Sequence, residues 1–159
     1  MSTFWPDDLV DQVIATLQAA APTSGIAGFS GSKILDGDML PTDITDLPVV
    51  GVYIPDEKAE PQNPETDSGG NQQRVATIRV EIRAATTPGT ADANGTSIRG
   101  VTKALRKWVL SVLMKDQQLN GKAFLIHFAS TTFWGKTSEK RMGGADLDFE
   151  VSYLFNAEN

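Results

Sequence analysis

The segment RVATIRVEIRAA, Arg74 to Ala85, constrains the chain more than any other, because its apolar and polar side chains alternate without a break. Ala76, Ile78, Val80 and Ile82 fall on one side, and Thr77, Arg79, Glu81 and Arg83 on the other. A period of two belongs to a β-strand, whose successive side chains point to opposite faces; a helix would scatter the same residues around its axis. The segment is expected to be a strand with one face turned to a core. DLDFEVSYLF, Asp146 to Phe155, repeats the pattern, with Leu147, Phe149, Val151, Tyr153 and Phe155 set against Asp148, Glu150, Ser152 and Leu154. LPVVGVYI, Leu47 to Ile54, is rich in β-branched and aromatic residues, and KAFLIHFAS, Lys122 to Ser130, places Phe124, Ile126 and Phe128 on one face.

Two segments carry the other period. Leu9, Val13, Ile14 and Leu17 recur at helical spacing between Asp7 and Ala20, with Pro6 at the entrance, Asp7 and Asp8 suited to the first turn, and Pro22 as a stop. From Thr96 to Lys115 the residues Ile98, Val101, Leu105, Trp108, Val112 and Leu113 form a broad apolar stripe, with Asn94 or Thr96 as the cap. The predicted order after a glycine-rich lead-in is α, β, β, α, β, β. Such stripes are buried economically in an α+β fold: an antiparallel or mixed four-stranded sheet with two helices packed on one face, in a single domain over 1–159.

The connections divide by composition. Residues 23–46 hold Gly25, Gly28, Gly31, Gly37 and Pro41 and read as an irregular connection or short hairpin. Within them GFSGSK lacks the full pattern of a phosphate-binding loop. Residues 55–73, PDEKAEPQNPETDSGGNQQ, supply almost no core-forming side chain and are expected to form an exposed, flexible arm between two antiparallel strands. TTPGTADANG leads into the second helix, and TTFWGKTSEKRMGGA reads as an exposed connection carrying Phe133 and Trp134.

Composition narrows the chemistry. With no cysteine in 159 residues, disulfides, thiolate catalysis and cysteine-ligated metals are excluded. No apolar run approaches the roughly 20 residues that span a bilayer, and MSTFWPDDLV lacks the basic start of a signal peptide, so an intracellular protein without membrane partners is expected. Fourteen Lys and Arg against 20 Asp and Glu give −6, which argues against direct DNA binding, although Arg99, Lys103, Arg106 and Lys107 form one basic patch and Lys136, Lys140 and Arg141 another. The first patch reads either as a solvated helix face or as a strip facing a partner.

No catalytic motif is present. His127 is the sole histidine and lies opposite the Phe124, Ile126, Phe128 face, so a structural or surface role is expected. Asp146, Asp148 and Glu150 project to one side of a strand, which fits a solvated face or, as an alternative, a divalent-ion site in a small metal-dependent enzyme. Asp36 and Asp38 lack a calcium-loop pattern, and no GxSxG nucleophile elbow occurs. No cofactor is expected. Phe4, Trp5 and Trp108 can belong to a core, and Phe133 and Trp134 to a core, a subunit contact or a surface on which a small ligand stacks.

Taken together, the helix with VIATL, the strand LPVVGVYI, the polar arm, the strand RVATIRVEIRA, the helix SIRGVTKALRKWVLSVL and the closing KAFLIHFASTTFWGKTSEKRMGGADLDFEVSYLF resemble the tail terminator proteins of long-tailed phages, the family of minor tail protein U. The resemblance implies a structural subunit, not an enzyme, that is assembled in the host cytoplasm and resides in the virion tail. It implies a homohexameric ring that caps the tail tube, ends polymerisation of the tube protein and offers its other face to the head–tail connector or neck protein. Asp56, Glu57, Lys58 and Glu60 in the arm, Arg79, Glu81 and Arg83 on the sheet, and Phe133, Trp134 and Lys136 are the candidate interface residues. A neck, head–tail joining or tail-completion protein is the alternative at a neighbouring joint.

Overall fold

The computed structural model describes residues 6–37, 47–59, 71–85, 98–121, 123, 125–136 and 142–156. Five strands form one sheet: β1 (Ile34–Asp36), β2 (Val49–Ala59), β3 (Asn71–Ala85), β4 (Leu125–Lys136) and β5 (Met142–Asn156), in the order β1-β2-β3-β5-β4. All neighbours are antiparallel except β1 and β2, which run parallel. The fold is therefore α+β with a mixed sheet, and the expected four strands become five. The additional strand, β1, comes from the glycine-rich stretch. It is only three residues long and shows no alternation of its own; its pairing with Val50 to Val52 makes it a strand.

Helix α1 (Pro6–Ala20) and helix α2 (Ile98–Leu113) close one face. Leu9, Val13 and Leu17 of α1 are fully buried, as their spacing requires, and they share one cluster with Leu105, Trp108, Val109 and Leu113 of α2. Ala76, Ile78, Val80 and Ile82 of β3 and Leu147, Phe149, Val151 and Tyr153 of β5 form the floor of that cluster, each with no exposed surface. Trp108 packs edge-on against Phe29, with ring centroids 5.4 Å apart, and its indole N–H donates to Thr23 Oγ1 at 3.2 Å, which ties α2 to the segment after α1. After α2 the chain turns through Leu119, Asn120 and Gly121, all at positive φ, with Leu119 buried as a plug. Asn94, Thr96, Phe4 and Trp5 lie outside the described residues. Among the described residues no helix is long and apolar enough to cross a membrane.

Two irregularities set which side chains face the helices. The register of β2 on β3 shifts between Tyr53 and Asp56, around Pro55, which has no N–H to give to a ladder. The register of β4 on β5 shifts between Phe128 and Ser130, leaving Ala129 without a partner. Before that bulge Ile126 and Phe128 face the helices; after it Thr131 and Phe133 do, and Trp134 faces the opposite side.

The stretch from Thr131 to Ala145, expected as a connection, is mostly strand: β4 continues to Lys136 and β5 begins at Met142. The arm is likewise shorter than 55–73, because β2 runs on through Ala59 and β3 begins at Asn71. Gly143 and Gly144, which fell within the expected connection, sit inside β5 where neighbouring groups approach its backbone closely. A Cβ on Gly143 would lie 2.7 Å from Ile98 Cγ2 of α2, and one on Gly144 would run into the carbonyl oxygen of Ile82 and lie 3.0 Å from the Trp134 ring. Replacing Gly144 by alanine is expected to cost about 1–3 kcal/mol, because the backbone must shift to admit the methyl group. A urea denaturation midpoint equal to that of the wild type would show the strand is not so closely packed there.

Candidate interaction site

The face of the sheet away from the helices carries a connected set of polar side chains. Arg79 and Asp148 stand opposite each other on β3 and β5 and form a two-pronged ion pair, with Arg79 Nε donating to Asp148 Oδ1 at 2.8 Å and Nη2 to Oδ2 at 3.1 Å. Arg83 Nε donates to Glu81 Oε2, and the Tyr53 hydroxyl donates to Glu81 Oε1 at 3.2 Å. Arg79 also stands close enough to the Tyr53 hydroxyl to favour its ionised form, which brings the two pairs into one electrostatic network. Hydrogen bonding to Asp148 holds the Arg79 guanidinium above its already high ordinary pKa, and burial raises the Tyr53 phenol. Arg79, Glu81 and Arg83 thus share a face, as their alternation requires, but their charged groups are turned toward partners within the sheet.

The three carboxylates of β5 engage three different environments. Asp148 is paired with Arg79, and Glu150 Oε2 lies 3.1 Å from Nε2 of His127 on β4, with both side chains half exposed. Asp146 stands directly opposite Glu81, with the Trp134 indole near enough to favour its charged form, while its Oδ1 is buried with no hydrogen-bond partner among the described residues. The three do not converge on a common point, and among the described residues no group of three His, Cys, Asp or Glu is placed to hold a metal ion. Among the described residues, the carboxylates of the divalent-ion alternative are therefore not gathered into one donor set. His127 is exposed on the polar face, where the alternation of its segment puts it.

On the helix side, a groove of about 610 Å³ runs between the first half of α2 and the end of the sheet formed by β4 and β5. Arg99, Lys103 and Arg106 of α2 line it together with Ile98, Phe133 and Trp134. Arg106 is fixed by donating from Nε to Thr131 Oγ1 at 3.0 Å, and its guanidinium stands 5.8 Å from the centre of the Phe128 ring. Thr102, also lining the groove, is buried with its hydroxyl unpartnered among the described residues. Phe133 is 65% exposed, the most exposed large apolar side chain described. The aromatic pair is thus split: Phe133 opens onto the groove and Trp134 lies over the polar face beside Gly144.

The interface candidates are therefore distributed over both faces. Arg79, Glu81 and Arg83 are on one side and Phe133 on the other, with Trp134 at the boundary. Asp56, Glu57 and Lys58 occupy β2 opposite Thr77, Ala76 and Val75, Lys136 ends β4 opposite Met142, and Glu60 lies outside the described residues. The groove itself is absent from the sequence reading, although its basic residues had been singled out; Thr102 and Val109 carry no signal beyond helical spacing.

Burial, and next the like charge of Glu81, raise the Asp146 pKa above its ordinary value of 3.8. The ionised carboxylate therefore disfavours the fold at pH values above the raised folded pKa, and this cost disappears below about 3.8, where both folded and unfolded chains are protonated. Asp146→Asn keeps the shape of the side chain and removes the charge. Its thermal midpoint is expected to exceed that of the wild type at pH 7, with the gap closing as pH falls toward 3.8. A gap unchanged across that range would trace the effect to something other than ionisation.

No protein-family model matches the chain, and no curated protein matches it.

Proposed function

We propose that the chain is a structural, ring-forming subunit of the phage tail terminator type, which caps the end of a tail tube and presents a second surface toward the head connector. The observation that carries the reading is β4. It is an edge strand of 12 residues, paired on one side with β5, and it bears the two exposed large apolar side chains found among the described residues, Leu125 at 43% and Phe133 at 65%. Large apolar side chains left in solvent on one strand mark a surface that a partner covers. The phage setting comes from the resemblance of element order and segments described above.

The mechanism is steric. A ring matched to the tube end covers the surface on which the next ring of tube protein would stack, and closed symmetry ends growth of the cap itself. Light scattering across a concentration series, with negative-stain images of the same sample, is expected to give rings of several copies, alone or on addition of purified tail tubes. A monomer that neither assembles nor binds tubes sinks the proposal. Binding to connectors in preference to tubes moves the subunit to the neck or tail-completion joint.

A further inference from the structure

Charge is segregated along this chain. Helix α2 carries Arg99, Lys103, Arg106 and Lys107 and no acidic residue, in a protein of net charge −6. Segment 60–70, between β2 and β3, carries Glu60, Glu65 and Asp67 and no basic residue, and Asp56 and Glu57 precede it with Lys58. The basic side of this division lines a groove with apolar walls, Phe133 among them.

The two poles lie at opposite ends of the sheet. Ala59, the last residue before the acidic segment, is paired with Arg74, whereas Gly144 in the groove is paired with Arg83. Nine residues of β3 separate those rows, a distance of about 30 Å at roughly 3.4 Å per residue. The other anchor, Asn71, is farther still, about 40 Å from the groove row on the same rise. The middle of the segment is only six residues from either anchor, so it reaches ~20 Å when fully extended. It falls short of the Gly144 row of the groove in its own chain. Segments 86–97 and 137–141, which join the chain beside the groove, are poorer matches in charge: the first holds only Asp92, and the second holds Glu139 with Lys140 and Arg141.

We propose that the acidic segment 60–70 of one copy seats in the basic, aromatic-lined groove between α2 and β4 of a neighbouring copy. The contact rests on the ring reading given above and specifies how its subunits join. It is head-to-tail, with different surfaces on the two partners, which is the type of interface that builds rings. Carboxylates of the incoming segment face Arg99, Lys103 and Arg106, and its apolar atoms, including Pro61 and Pro64, cover Phe133. Opposed charges of this kind set partner and register and are weakened by salt.

Reversing the charge of each pole separates this contact from assembly in general. One variant carries Glu60→Lys, Glu65→Lys and Asp67→Lys; a second carries Arg99→Glu and Lys103→Glu, leaving Arg106 on Thr131. Each alone opposes like charges at every contact, and its self-association, free or on tail tubes, is expected to fall at least tenfold. Mixed together, the positive segment of the first meets the acidic groove of the second and the reverse, so ring mass returns only on mixing. Circular dichroism matching the wild type shows that both variants are folded. Because the chain has no cysteine, Asp67→Cys with Lys103→Cys introduces its only thiols, and a short bismaleimide is expected to link different copies into a ladder. Variants that assemble like the wild type, or linkage confined within single chains, overturn the proposed contact and leave the ring reading standing. A wild-type chain that never self-associates overturns both.

Discussion

Between β3 and β5 the pairing runs unbroken from Asn71 opposite Asn156 to Ala85 opposite Met142, and the faces of the whole sheet are referred to that register. It sets Ile78 beside Phe149 and Val80 beside Leu147 under the helices, and Arg79 beside Asp148 on the other side. A slip of one residue would turn Ile78, Val80 and Ile82 to the polar face and push Arg79 and Glu81 into the core. Burying those two charges without their partners is far costlier than the alternatives, so the apolar core and the Arg79–Asp148 fork enforce the same alignment from opposite faces. Glu81 opposite Asp146 is the unfavourable pair in this register, and the neighbouring Arg79 and the Trp134 indole offset part of its cost.

Departures from that ladder create the features available to partners. Ala129, left out of register on β4, inverts the alternation after Phe128. Without it, Trp134 would face the helices and Phe133 would lie on the polar side. With it, the flatter indole covers Gly144 and reaches Asp146, and the phenyl ring is left open beside the basic residues of α2. The paired glycines complete the arrangement, since a side chain at Gly143 would meet Ile98 and lift the start of α2 from the sheet. Bulge and glycines together determine the shape of the groove and the exposure of Phe133.

The parts of this fold that could be read from the sequence are those in which a local period coincides with burial. Ile78, Val80 and Ile82, the matching residues of β5, and Leu9, Val13 and Leu17 each lie within one element and repeat at its own spacing. β1 could not be read in this way, because three residues carry no period and its stability comes from pairing with β2 and from Gln18 Nε2, which donates to the Ile34 carbonyl at 3.2 Å. Gly143 and Gly144 fell within a segment that read as a connection, since a glycine required by close approach looks the same in a sequence as one belonging to a loop. The Ala129 bulge has no compositional mark, so Phe133 and Trp134 could be recognised as contact candidates but not assigned to faces. Arg79 and Asp148 are 69 residues apart, and only the register brings them together.

The polar face and the groove make different demands on a partner. On the polar face, Arg79, Glu81, Arg83, Tyr53 and Asp148 already donate to and accept from one another, so a partner pressing there must break short ionic contacts before making its own, and gains little. At the groove, Phe133 remains in water and Arg99 and Lys103 extend from an exposed helix face, so covering them removes apolar surface and compensates charge together. Direction matters as much as affinity. Strand addition along the open edge of β4 would continue the sheet from copy to copy and has no inherent end. In the proposed contact, a segment that follows one sheet seats on the helix layer of the next copy, so each subunit is turned relative to the last, and repeated turning is what lets a head-to-tail contact close on itself. In the proposed ring, the acidic arm and the groove therefore do more than attach neighbours: by taking the contact off the sheet edge, they direct association toward closure.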